Sequence, residues 1–318
     1  MRTLIFGASG LLGRAVMRAF ADSNVTGTSF RRQRPGLITV DATSSTAVWR
    51  ALDQTRPDVV VNCVGERHPD VWANAPAQAY DLNVEAARLT AEAARHHGAH
   101  LLHISSDYVF DGIAPPYRPS SRCRPLGFYG RLKLLAEDMV RTVYPEAAIL
   151  RLPVLYGPVE YAAESSISEI TREVSSGRPV ELDDVCIRYP THVDDAAQVC
   201  RQLATAQVQG RLVGTVHHWS AAQGFTKYQM GLLIARHLRF PPRHITAGLG
   251  DLAGGDQPVD PRLDCTDLRV ALSWPPENDR TLTDEVLHVI APWARTACSC
   301  PDGERIYPIN VRIGQRRP

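Results

Sequence analysis

Short apolar runs separated by amphipathic stretches set the rhythm of the first half of the chain. Residues 2–6, 25–29, 37–40, 58–63, 100–105 and 148–152 read as strands. Between them, residues 11–21, 45–54, 77–97 and 129–143 place apolar side chains three and four apart, the spacing of one helix face. Leu132, Leu135, Ala136, Met139 and Val140 show that spacing clearly. Strands alternating with helices predict a parallel sheet covered on both faces, the doubly wound α/β (Rossmann) architecture.

After Tyr156-Gly157-Pro158 the pattern loosens. Helices are predicted over 166–175, 194–206 and 226–238, and a strand over 215–219. Pro241-Pro242 and the glycines and prolines of 248–261 mark a long exposed loop. Residues 1–156 therefore read mainly as a dinucleotide-binding domain. Residues 157–292 read mainly as a smaller, interwoven C-terminal lobe on the substrate side, with exchange of a strand or helix between the two. Residues 293–318 form a tail without periodicity.

Charge narrows the class. Thirty-five basic residues face 34 acidic ones, which gives no support for a nucleic-acid partner. No stretch reaches the roughly 18 apolar residues of a membrane span, and Met1-Arg2-Thr3-Leu4-Ile5-Phe6 runs into a glycine turn, as a first strand does. The expectation is a cytoplasmic protein with no membrane partner. Seven cysteines form no zinc-like pair of pairs, and Cys298 and Cys300 lack a second pair nearby. Scattered thiols in a reducing compartment and no metal site fit best.

Gly7-Ala8-Ser9-Gly10-Leu11-Leu12-Gly13 follows the first strand and opens the first helix. Glycines here permit a tight turn and close approach of backbone to a pyrophosphate, which the free N–H groups of the helix receive. The second strand runs into Phe30-Arg31-Arg32-Gln33-Arg34, arginines where a site for NAD usually carries an acid. Guanidinium groups suit a 2′-phosphate, so NADP is the expected cofactor. Asp41 either meets the adenine edge or caps the next helix. Cys63 and Val64, at the end of the fourth strand, complete this wall.

Tyr129 and Lys133 stand four residues apart on one predicted helix face. A nearby cation and the charged nicotinamide are expected to lower the tyrosine pKa, so that it exchanges a proton with a carbonyl oxygen. Only two lysines occur in the chain, Lys133 and Lys227, which argues against Lys133 as surface decoration. Ser106, at the carboxyl end of the fifth strand, is favoured over Ser105 to orient the substrate carbonyl. Asp107 assists proton transfer, binds substrate or caps its loop. Asn83 is expected to stabilise a backbone bend or a water path near Lys133.

Together these residues resemble the extended short-chain dehydrogenases/reductases. Residues 105–112, 129–133 and 151–157 are similar to the dTDP-4-dehydrorhamnose reductase branch, which reduces the 4-keto group of a nucleotide-linked deoxysugar. That resemblance implies Ser106, Tyr129 and Lys133 as a triad, with Leu152, Val154 and Leu155 flanking the nicotinamide. Glu66, Arg67, His68 and Arg188 are expected on the substrate side. Segments at 30–35, 66–71, 188–193, 199–204, 218–220, 226–228 and 263–265 resemble one family within the branch, the regulatory beta subunits of methionine adenosyltransferase.

This second resemblance implies an NADP-binding regulatory subunit that partners the catalytic subunit making S-adenosylmethionine. The alternative is an NADPH-dependent nucleotide-sugar 4-ketoreductase with Tyr129 as proton donor. The beta subunits keep the tyrosine and lysine, so the triad leaves both open. Beyond about residue 272 the likeness thins, and the tail does not follow the family's ending, which inserts into the catalytic partner.

Overall fold

The computed structural model describes residues 1–211, 216–238, 241–250, 256–275 and 278–283. The predicted tail, Cys298 and Cys300, and Thr215 lie outside the described residues. In the first half the chain forms β1 (Arg2–Phe6), α1 (Leu11–Ala19), β2 (Asn24–Ser29), β3 (Leu37–Thr39), α2 (Ser45–Thr55) and β4 (Val59–Asn62). There follow α3 (Pro69–Asn74), α4 (Pro76–Tyr80), α5 (Ala86–His96), β5 (His100–Ser106), α6 (Phe128–Val143) and β6 (Ala148–Leu152). The second half adds β7 (Leu155–Tyr156), α7 (Ser166–Ser175), β8 (Val180–Asp183), β9 (Thr191–His192) and α8 (Val193–Val208). It continues with β10 (Val216–His218), α9 (Lys227–Leu238), β11 (Ile245–Gly248) and α10 (Thr266–Leu272).

Seven strands form one parallel sheet in the order β10-β6-β5-β4-β1-β2-β3. Alternation along β1 explains its two covered faces. Leu4 and Phe6 join the layer of α2, α5 and α6, whereas Ile5 joins that of α1 and α8. The second half thus completes the first: β10 extends the sheet beside β6, and α8 packs its buried face on the sheet next to α1. The strand order reverses between β1 and β4, which opens a crevice at the carboxyl ends of the strands.

The smaller lobe is built around the parallel pair β8 and β11. Ile167, Ile170 and Val174 of α7 meet Met230 and Ile234 of α9 and Ile245 of β11 in its core. β7 and β9 form a two-residue parallel ladder next to this lobe.

One helix departs from expectation. The helix predicted over 77–97 is divided by a π turn, Asp81–Glu85, between α4 and α5. Asn83 lies in that turn; its Nδ2 donates to Ala79 O at 2.8 Å and to Glu66 O at 3.1 Å. Its Oδ1 accepts from Glu66 N at 3.2 Å. The widened turn therefore fixes the backbone that follows β4, a use typical of such bulges near functional sites. Among the described residues no helix is long and apolar enough to cross a membrane, and no group of three His, Cys, Asp or Glu residues is placed to hold a metal ion.

Candidate functional site

The turn between β1 and α1 tolerates only glycine at two positions. Gly7 has φ +76°, and a Cβ there would lie 3.0 Å from the Cys63 carbonyl. A Cβ on Gly13 would lie 2.1 Å from Gly7 O, so α1 packs against the turn more closely than any side chain allows. Gly10 precedes α1 without a side-chain cap, which leaves the first helical N–H groups for an anion. This cradle opens into a cleft of about 940 Å³. Gly7, Ser9, Gly10, Leu11, Leu12, Gly13, Phe30, Arg31, Arg32 and Asp41 line one end of it. Cys63, Val64, Leu152, Val154 and Leu155 line its middle.

Charged contacts cross the mouth at this end. Arg32 Nη1 donates to Tyr161 Oη and to Glu164 Oε1, each at 3.1 Å. Arg14 grips Glu164 in a bidentate pair of 2.6 and 2.7 Å. Arg31 is exposed. Asp41 does not cap α2: its Oδ1 accepts from Thr43 N at 2.9 Å and Thr43 Oγ1 at 2.7 Å, and Ser44 supplies the cap. The aspartate closes its own turn because Thr43, two residues on, satisfies it locally.

Beyond β5 the cleft is lined by Ser106, Asp107, Tyr129, Lys133, Glu66, Arg67, His68 and Arg188. Ser106 Oγ donates to Asp107 Oδ1 at 3.1 Å and accepts from Tyr108 N at 3.2 Å. The Tyr129 ring stacks on Trp72, with centroids 5.3 Å apart and planes at 8°. Lys133 Nζ donates to Ile104 O at 2.6 Å. Ser105 points elsewhere: its Oγ donates to Glu137 Oε1 at 2.5 Å, behind the cleft. Asn83 does not line the cleft; it holds Glu66 in place from outside.

Burial dominates the ionisation of these groups. It pushes the Tyr129 phenol up to about 12, assisted by the Asp107 charge and opposed by Arg67 and Ser106. The side chains alone therefore do not lower this phenol. Burial also drives Lys133 down to about 8, against Glu137 and Cys63. Asp107 rises to about 7, again through burial, although Arg188 and Ser106 pull it down. Its Oδ2 is sealed from solvent and accepts no hydrogen bond.

Arg188 is a buried cation held by neutral groups. It donates to Ile187 O at 2.7 Å, Pro258 O at 2.9 Å and Gln257 Oε1 at 2.7 Å, and lies 5.4 Å over the Tyr108 ring. Both lysines of the chain line this cleft, Lys227 from the start of α9.

Sequence reasoning missed several residues here. Glu137 lies fully buried and takes Arg151 at 2.8 and 2.7 Å; the signal was its place eight residues after Tyr129 on the same helix face. Trp72, Tyr108 and the Tyr161–Glu164 turn reach the cleft from short segments that carry no period.

With this geometry in view, comparison with known proteins is decisive for the family. The family described as the RmlD substrate binding domain matches residues 1–290. The chain belongs to it. Its resemblance to the extended short-chain dehydrogenases/reductases holds over both halves. Methionine adenosyltransferase 2 subunit beta of Bos taurus is 41% identical over 271 residues, 84% of this chain and 81% of that protein. A probable dTDP-4,6-dihydroxy-2-methyloxan-3-one 4-ketoreductase of Streptomyces antibioticus is 32% identical over 252 residues, 79% of this chain and 81% of its own. The crystal structure of a hypothetical dTDP-4-dehydrorhamnose reductase from Sulfolobus tokodaii shares the fold. It has a TM-score of 0.74 and 24% identity, covering 86% of this chain and 95% of that one.

Proposed function

We propose that this chain is an NADPH-dependent carbonyl reductase acting on a nucleotide-linked 4-keto sugar. The observation that carries this reading is the convergence of Ser106, Tyr129 and Lys133 in the dinucleotide cleft, beside the unbonded Asp107 oxygen. The glycine cradle fits a pyrophosphate, and Arg31 and Arg32 after β2 favour a 2′-phosphate over a bare ribose. A reduced nicotinamide supplies the hydride when bound. Ser106 orients the substrate carbonyl, and the neutral phenol of Tyr129 hands its proton to the carbonyl oxygen. Lys133, positive below about pH 8, favours the phenolate left behind. Asp107, near neutrality in its ionisation, feeds or withdraws a proton through Ser106. Glu66, Arg67, His68 and Arg188 shape the substrate side.

A second reading has its own support. The 41% identity to a methionine adenosyltransferase beta subunit spans 271 residues, far beyond the cofactor motifs. In that reading the chain binds NADP as a stabilising ligand and regulates the catalytic subunit that makes S-adenosylmethionine. The triad by itself fits both readings; Ser106, Asp107, Tyr129 and Lys133 lining one cleft support the reductase as the reading to test first. The test is NADPH consumption by the purified chain on addition of a dTDP-linked 4-keto-6-deoxysugar. Sustained turnover supports the reductase. Tight NADPH binding without turnover, together with a stoichiometric complex with the catalytic subunit, supports the regulator and overturns it.

A further inference from the structure

Four arginines from the first half converge on residues 158–165, between Gly157 and α7. Arg14, on α1, donates to Pro158 O at 3.2 Å, lies 3.5 Å from Glu160 and holds Glu164 by both oxygens. Arg32 and Arg34, after β2, reach Tyr161 and Glu164, and Glu160, respectively. Arg67, after β4, donates to Ala163 O. The segment is folded to present these groups. A 3-10 turn, Ala162–Glu164, places Glu164 so that it also accepts from Glu160 N at 2.9 Å.

Both ends of the segment are anchored. Gly157 has φ +155°, and a Cβ there would lie 2.4 Å from the Val193 side chain, so the entrance to the segment requires glycine. At the exit Ser165 donates to Leu155 O at 2.7 Å and caps α7. Tyr161, Glu164 and Ser165 form the cleft wall facing the glycine turn. Arg32 Nη2 would lie 3.8 Å from a Cβ on Gly10, so the clasped arginine sits over the cradle itself.

We propose that residues 158–165 form a strap that retains the dinucleotide, with Glu164 as the positioning residue that clasps it shut. The inference rests on the cofactor reading given above. Ion pairs at exposed positions hold little. Glu164 differs, because its side chain is only 4% exposed and its partner Arg14 is bidentate. Two effects of this carboxylate on a bound cofactor have opposite signs. Through space its charge repels phosphates, so removing it favours a longer stay. As a clasp it closes the exit, so removing it shortens the stay. The release rate separates them.

The experiment preloads the full chain with NADPH, chases with excess NADP⁺ in a stopped-flow instrument and follows NADPH fluorescence. For Glu164→Gln, release is expected to be about tenfold faster or more than in wild type, as for a lost charge-assisted pair. For Glu160→Gln, at an exposed position, the increase is expected to be about twofold. Unchanged or slower release in Glu164→Gln overturns the strap. Should that variant fail to fold in a thermal melt, Glu160→Gln decides, and unchanged release there overturns it equally. If the wild-type chain binds neither NADPH nor NADH, the cofactor reading fails and the strap fails with it. Wild-type binding with unaltered release in the variants removes the strap alone.

Discussion

Glu164, at the glycine-turn end of the cleft, meets two arginines within 3.1 Å, whereas Asp107, at the catalytic end, keeps one buried oxygen without a hydrogen-bond partner. Burial pushes both carboxyls upward. At Glu164 the hydrogen bonds from Arg14, Glu160 N and Arg32 overturn that push and hold the group below its ordinary range. At Asp107 they do not, and the carboxyl reaches about 7. The same side-chain chemistry thus gives an ion-paired carboxylate at one end and a carboxyl that reaches about 7 at the other, the properties that the proposed clasp and proton carrier use. The difference lies in whether a guanidinium touches the carboxylate or stays beyond hydrogen-bonding distance.

The largest expected effect breaks the catalytic end alone. Tyr129→Phe should lower turnover by roughly 10²–10⁴-fold, the usual range for a general acid, while a fluorescence titration shows NADPH affinity unchanged. A third carboxylate sharpens the contrast from inside the core. Glu137 is as buried as Asp107 but is matched by Arg151 at 2.7 Å, so it should behave as a structural group. Arg151→Met, which strands that charge, should destabilise the fold by about 3–5 kcal/mol in urea denaturation.

At the opposite end, Arg32→Ala should weaken NADPH binding by about 1.5–3 kcal/mol, the scale of a hydrogen bond to a charged group. NADH binding should change little in the same calorimetric titration, because it lacks the 2′-phosphate. A further effect concerns pH. Asp107 ionises near pH 7 in the folded chain and near pH 3.9 when unfolded. A raised folded pKa gives stability that is complete below about pH 4 and lost as pH rises through about 7. Asp107→Asn should therefore flatten the decline of the urea midpoint across that window.

Much of this architecture was legible in the chain. β1 and β6 follow directly from their apolar runs, and α7 from its spacing. The glycine turn, the Ser106 segment and the Tyr129 and Lys133 pair all emerge in one cleft. What escaped depends on contacts distant in sequence. The strap owes its form to Arg14 and Arg32, which lie 150 and 132 positions from Glu164, and no local pattern records such pairs. β8 and β11 are four residues each and pair across more than sixty positions. The π turn at Asn83 looks like continuous helix because the apolar spacing of 77–97 hides one widened turn. Spacing reports the Lys133 charge and is silent on the burial that raises the Tyr129 phenol.

Division of labour along the cleft is the central claim, and transfer of label from NADPH tests it most directly. The chain is incubated with NADPH deuterated at the hydride position and a dTDP-linked 4-keto-6-deoxysugar, and the sugar is weighed by mass spectrometry. The account predicts a product carrying one deuterium from wild type and from Arg32→Ala at saturating cofactor, and its formation roughly 10²–10⁴-fold slower from Tyr129→Phe. An unlabelled sugar from wild-type protein that demonstrably binds NADPH would contradict it.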